Sequence, residues 1–268
     1  MPRPPLVDSH CHLTYPGLIE QQSEVLERAR ATGITAMLSI ATRLSEWAEI
    51  QALADREDDI WCSVGIHPHH AADISDQKRL YDDLIAQTAH ARSVALGETG
   101  LDYAYDNSPR DVQRQVFATH IRAAQVCGMP LVVHTRDAGK DTKSLMQNAW
   151  KEKPYKAVIH CFTESADFAR FALDLGFYIS FSGIVTFKNA RDLQDVAKFI
   201  PLDRLLVETD APFLAPTPLR GKTCEPAYVE HTARFLAKIK GVSLEEIARQ
   251  TTENFRTLFE RVRLPATA

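Results

Sequence analysis

The sequence predicts a (β/α)8 barrel, and three observations carry that prediction. Short, continuous apolar runs alternate with amphipathic stretches along the whole chain. There are eight such runs, ending at positions 10, 41, 67, 98, 134, 160, 183 and 210, so successive ends fall 23 to 36 residues apart, one βα unit each. The length, 268 residues, is close to the roughly 250 typical of this fold. A doubly wound open sheet would also alternate strands and helices, but eight strands exceed what most open sheets hold.

The expected strands are Leu6–His10, Ile34–Ala41, Ile60–His67, Val94–Glu98, Leu131–His134, Ala157–Phe162, Phe177–Gly183 and Leu205–Asp210. They are rich in Val, Ile, Leu and Phe without strict alternation, as strands covered on both faces are. Between them Glu20–Ala31, Ser45–Ala54, Val112–Val126, Asp167–Leu175 and Ala190–Phe199 show helical periodicity. Gly33, Gly128 and Gly176 each stand between a helix and the next strand, where helix C-terminal caps belong. After the eighth strand, Ala211–Pro218 carries three prolines and reads as a loop at the barrel mouth. Two closing helices follow, Ala227–Ile239 and Leu244–Gln250, the second capped by Ser243 with Glu246 three residues on. No linker or low-complexity segment interrupts the chain, so residues 1–268 read as one domain.

Composition sets the outer bounds. With 31 basic and 35 acidic side chains the formal charge is −4, which excludes binding of nucleic acid driven by net charge alone, though not a local basic patch. A core of this size needs no disulfide staples. Five cysteines, Cys11, Cys62, Cys127, Cys161 and Cys224, are scattered without CxxC spacing and read as reduced thiols of a cytoplasmic protein. Met1-Pro2-Arg3-Pro4-Pro5 leads straight into the first strand with no signal-peptide core, and no apolar run is long enough to span a membrane.

Chemistry enters at the strand ends, where barrel enzymes keep their active sites. His10-Cys11-His12 closes the first strand; residues two apart in an extended chain point the same way, so both imidazoles face the mouth and Cys11 faces away. Glu98 closes the fourth strand, His134 the fifth, His160 the sixth and Asp210 the eighth. A lone histidine is often only a satisfied core residue, but this many ligand types on one rim point to metal. Four histidines and two carboxylates are too many for a single catalytic zinc with its open position. They suit two divalent ions (Zn, Mg or Mn) roughly 3.5–4 Å apart with one carboxylate bridging, an arrangement that supports metal-assisted hydrolysis. Asp210 is the expected general base.

Other residues stand around this set. His67, in Gly65-Ile66-His67-Pro68-His69, is expected to contact substrate. Arg136 shares the face of His134 and either clamps a phosphate oxygen or pairs with Asp137 or Asp141. Asp102, Tyr103 and Glu208 are placed to orient ligands through hydrogen bonds, and Glu208 is counted with His67 and Arg136 on the substrate side. Lys188, Arg191, Arg220 and Lys222 are a candidate basic collar. Cys11, Cys62 and Cys161 read as buried structural thiols.

With these residues in place the chain resembles the TatD family of metal-dependent hydrolases and deoxyribonucleases, among the amidohydrolase-type barrels. The stretches that carry the resemblance are Val7–Leu13, Gly65–His69, Ala95–Tyr103, Val133–Ala138, Ile159–Thr163, Leu206–Pro212 and Asn254-Phe255, over about residues 6–259. The retained His-x-His is similar to the YcfH-type branch. The resemblance implies that His10, His12, Glu98 and Asp210 hold a first metal ion, and that His134, His160 and Glu98 hold a second. It also implies 3′-to-5′ exonuclease action on DNA and sometimes RNA. Some relatives are linked instead to releasing D-amino acids from mischarged tRNA, so an ester or amide hydrolase on the same metal site is the alternative. A barrel that binds nucleic acid or a protein without catalysis is a third, disfavoured by the complete ligand set.

Overall fold

The computed structural model describes residues 5–264, so the leader reading of Met1–Pro4 lies outside the described residues. Eight parallel strands hydrogen-bond in chain order: β1 (Leu6–Cys11), β2 (Ile34–Ser39), β3 (Ile60–Val64), β4 (Ser93–Asp102), β5 (Leu131–Arg136), β6 (Ala157–Ile159), β7 (Tyr178–Phe181) and β8 (Leu205–Val207). A bridge between Cys11 and Ala211, with bonds from His12 N–H to the Ala211 carbonyl (2.7 Å) and from Asp210 N–H to the His10 carbonyl (2.9 Å), brings β8 back to β1. The result is the expected (β/α)8 barrel.

The helices are α1 (Gln22–Ala31), α2 (Trp47–Arg56), α3 (Gln77–Gln87), α4 (Arg110–Cys127), α5 (Gly139–Glu152), α6 (Ala166–Asp174), α7 (Arg191–Phe199), α8 (Val229–Lys240) and α9 (Leu244–Leu258). Gly128 caps α4 in the left-handed conformation, and Ser243 Oγ accepts from Glu246 N–H at 3.1 Å to start α9, both as expected. Helices α3 and α5 fill βα units that the spacing of the strands implies without marking their helices by residue. Each buries only two side chains, Leu80 and Leu84 in one and Thr142 and Met146 in the other, so its apolar stripe is too narrow to register in the sequence. The last helix also runs eight residues further than expected, to Leu258 rather than Gln250.

Strand alternation divides the core. Leu38, Trp61, Val132, Val158 and Leu206 form one buried cluster with Phe255, Leu258 and Phe259 from the end of the chain, which plug the barrel interior. Their strand neighbours Met37, Cys62, Val133, Ile159 and Leu205 belong to the larger cluster that the helices cover. Asn254, singled out in the sequence, donates to the carbonyls of Leu202 (2.7 Å) and Leu205 (2.8 Å), so it ties α9 to the entrance of β8 rather than serving a site.

Strand ends differ from expectation where the chain turns into the site. β6 and β8 stop at Ile159 and Val207, leaving His160 and Asp210 on the segments just beyond. β4 instead continues to Asp102, pairing Gly100 with His134 and Asp102 with Arg136. Glycine makes this possible: Gly100 has φ +141°, and a Cβ there would lie 1.9 Å from the His134 carbonyl oxygen. At Gly65 a Cβ would lie 2.4 Å from the Gly97 backbone, so β3 and β4 are closest right beside Glu98.

Candidate metal centre

The strand ends deliver six ligand-type side chains to one point, with Glu98 in the middle. Its Oε2 faces His10 Nε2 (3.4 Å) and His12 Nε2 (3.9 Å), which themselves lie 3.4 and 3.3 Å from Asp210 Oδ1. Its Oε1 faces the other way, toward His160 Nε2 (2.7 Å), His134 Nδ1 (3.1 Å) and His67 Nε2 (3.4 Å). One carboxylate thus presents an oxygen to each of two clusters of ligand-type side chains.

Does this set fit cations? Two imidazole nitrogens, His10 Nε2 and His12 Nε2, stand 3.3 Å apart. His160 Nε2 is buried without a hydrogen bond of acceptable geometry, although a carboxylate oxygen is adjacent, and His10 Nδ1 is buried without any partner. Buried polar atoms left unpaired are costly. Lone pairs converging in this way are what a divalent ion satisfies, and the nitrogen-rich donor set suits zinc or its neighbours.

The partners of the far ring nitrogens decide which atom each histidine offers. His12 Nδ1 donates to the Ile40 carbonyl (3.3 Å) and His160 Nδ1 to Glu208 (3.3 Å), leaving both Nε2 lone pairs for the centre. His134 is reversed: Nε2 donates to Asp102 Oδ2 (3.1 Å), and Nδ1 turns inward. His67 differs in kind. Its Nδ1 accepts from His69 N–H at 3.1 Å, so the neutral ring carries its proton on Nε2 and points a donor at Glu98. Burial pushes its pKa down to about 4, which keeps it neutral. His67, Glu98 and His134 do bring three ligand atoms within 4.8 Å of one another, but this tautomer makes His67 a hydrogen-bond donor there.

Charge follows the same division. Burial alone would raise Glu98, yet the charge of His160 and bonds from His10 and His134 hold it well below the usual carboxylate range. Asp210 is likewise pushed up by burial but held down by His12 and His10. Asp210 also adopts φ +59°, a left-handed conformation that Asp tolerates better than most residues.

Several surrounding residues sit elsewhere than expected. Glu208 is wholly buried, accepting from His160 and from Cys161 N–H (2.7 Å), so it positions His160 and does not face substrate. Tyr103 turns away and donates to Asp141 (2.7 Å), which also takes Arg114 (3.4 Å). Arg136 pairs with neither Asp137 nor Asp141; its guanidinium lies over the Tyr105 ring, 4.6 Å from the centroid. Cys11 and Cys62 are buried as expected, but Cys161 is only partly so and lines the cavity, because φ +42° turns it out of the strand alternation. Lys188, Arg191, Arg220 and Lys222 are exposed and do not line the cavity; Arg220 stacks on Phe187 instead. Asp102 does orient ligands, accepting from His134 and, at 3.0 Å, from His69. His69 also lines the cavity, and the only sequence signal for it is its spacing of two from His67.

His12, His67, Glu98, His134, His160 and Asp210 line a cavity of about 690 Å³. The family model for TatD related DNases matches residues 7–260 of the chain. The chain belongs to the TatD family. Among TatD-family relatives, the metal-dependent hydrolase YcfH of Escherichia coli (strain K12) is 45% identical over 257 residues, 95% of each chain. A protein of Enterobacter lignolyticus called 3′-5′ ssDNA/RNA exonuclease TatD is 36% identical over 260 residues, covering 95% of this chain and 98% of that one. The crystal structure of YJJV, a TatD homolog from Escherichia coli K12, superposes with a TM-score of 0.88 at 26% identity, covering 95% and 98%. As a TatD-family member the chain is a metal-dependent hydrolase. No helix among its described residues is long and apolar enough to cross a membrane.

Proposed function

We propose that this hydrolase cleaves phosphodiester bonds as a deoxyribonuclease of the 3′-to-5′ exonuclease type, with two divalent ions in the centre. The observation that carries the reading is the division of Glu98 between His10, His12 and Asp210 on one side and His134 and His160 on the other. When bound, such a pair of ions activates water and neutralises charge on a phosphoryl group. The protein's own residues supply the rest. Asp210, held ionised beside His12, accepts the proton of the attacking water. Neutral His67 turns its Nε2–H to Glu98 and helps hold that carboxylate in place, and Arg136 brings a permanent positive charge to the cavity wall. The exonuclease name of the Enterobacter relative supports nucleic acid as the substrate class.

The test is release of mononucleotides from the 3′ end of an oligodeoxynucleotide, with Mg, Mn or Zn, in the presence and absence of EDTA. Chelator-sensitive release supports the reading. Release of an amino acid from aminoacyl-tRNA with the chain intact, and no nucleotide release with any metal, replaces it with the deacylase alternative.

A further inference from the structure

Single exposed apolar side chains are ordinary on a protein surface. Two here are not placed at random. Among the exposed large hydrophobic residues, Tyr105 (59% exposed) and Phe213 (49%) are the two that line the cavity. Tyr105 follows β4 and Phe213 follows β8, and in a ring of eight strands these stand opposite one another. The two rings therefore flank the Glu98 cluster from both sides.

Each ring is anchored through its backbone to a carboxylate residue of the centre. Tyr105 N–H donates to Asp102 Oδ1 (3.1 Å), and Phe213 N–H donates to the Asp210 carbonyl (2.9 Å). Side-chain contacts hold them upright. Tyr105 meets His69 edge-on, with centroids 5.5 Å apart, and carries the Arg136 guanidinium over its ring. Phe213 meets Tyr15 edge-on at 6.2 Å. Exposed, fixed aromatic faces on either side of a phosphate-cleaving centre are what unpaired bases stack on. Inside a duplex both faces of a base are covered, and a terminal pair bares only one, so an unpaired end alone can use both rings.

We infer that Tyr105 and Phe213 are base-stacking platforms on either side of the scissile phosphate, with Arg136 holding the adjacent backbone, so that the site selects an unpaired DNA 3′ end. The inference rests on the phosphodiesterase reading. It assigns substrate choice to two rings that hold no metal. Stacking of this kind contributes about 5- to 150-fold per base.

The experiment measures kcat and KM of wild type, Tyr105→Ala, Phe213→Ala and Phe213→Trp on two single-stranded oligonucleotides. One ends in thymidines and the other in 5,6-dihydrothymidines, whose saturated rings no longer stack. Binding of both to the metal-free proteins is followed by fluorescence anisotropy. Each alanine variant is expected to raise KM and weaken binding about 10-fold on the thymidine oligonucleotide, with kcat within about twofold and little change on the saturated one. Phe213→Trp restores the thymidine preference. Equal losses on both oligonucleotides, or none on either, overturn the inference. If wild type cleaves neither but binds the thymidine form through these rings, the platforms stand and the phosphodiesterase reading falls. If it neither cleaves nor binds, both fall.

Discussion

Glu208 accepts a hydrogen bond from His160 Nδ1 at 3.3 Å and thereby fixes Nε2 as the nitrogen turned to Glu98. Burial lowers His160, but the charges of Glu98 and Glu208 more than offset this, so a proton competes strongly for that nitrogen when no cation is there. Glu208→Gln keeps the shape and removes the charge. It is expected to weaken metal binding about 10- to 100-fold in a chelator-competition titration, with the melting temperature of the metal-free protein little changed.

Glu98→Gln leaves one oxygen for two clusters. If the proposed pair of ions is present in wild type, elemental analysis of the purified variant is expected to give one ion per chain or fewer. In the wild type, EDTA should remove the ions and lower the melting temperature. At metal concentrations about 100 times Kd the bound form gains about 2.7 kcal/mol.

Asp210→Asn keeps the residue's size and its backbone bonds to His10 and Phe213 while removing the proton acceptor. The expected loss in kcat is about 10²- to 10⁴-fold, measured on whichever substrate the wild type turns over. Circular dichroism and melting should stay close to wild type.

His120 lies apart from the ligands, wholly buried, with Nδ1 donating to the Val116 carbonyl (2.8 Å) and Nε2 accepting from Ile66 N–H (3.1 Å). Burial lowers its pKa from 6.5 to about 4, so the folded state favours the neutral ring. Its contribution is present above the unfolded pKa and is lost as pH falls toward the folded one. Between about pH 7 and pH 5 the cost is about 2 kcal/mol. Chemical denaturation of His120→Gln across that interval should show a correspondingly flatter acid limb than wild type.

Gly100→Ala would drive a methyl group into the His134 carbonyl and demand φ +141° of an L-residue. Loss of soluble, metal-loaded protein on expression is the expected outcome. Gly128→Ala, where a Cβ meets nothing within 4 Å, should stay soluble and lose stability only modestly, which separates steric exclusion from left-handed backbone alone.

The ligands were legible because each is punctuation at the end of an apolar run: His10 and His12, Glu98, His134, His160 and Asp210 all close a strand-like segment. What each ligand is held by was harder to read. Glu208 two residues before Asp210 looked as available to substrate as to His160, and only burial under Cys161 settles its role. Tyr105 and Phe213 carried no signal at all. Whether a loop aromatic is buried or bare depends on where the loop goes, and that depends on what it meets from distant segments, His69 and Arg136 for Tyr105 and Tyr15 for Phe213. Helices α3 and α5 fully bury only two side chains each and hold their other large apolar residues, Tyr81 and Ile85 or Leu145 and Trp150, half-buried against the core.

The seam where β8 returns to β1 runs through His10, His12 and Asp210. A growing chain therefore has both histidines at residue 10 and 12 long before it has Asp210, and the first cluster cannot be completed until some two hundred residues have been synthesised. Until then the exposed His-x-His can recruit a metal only weakly. A complete first cluster therefore exists only once β8 has closed on β1.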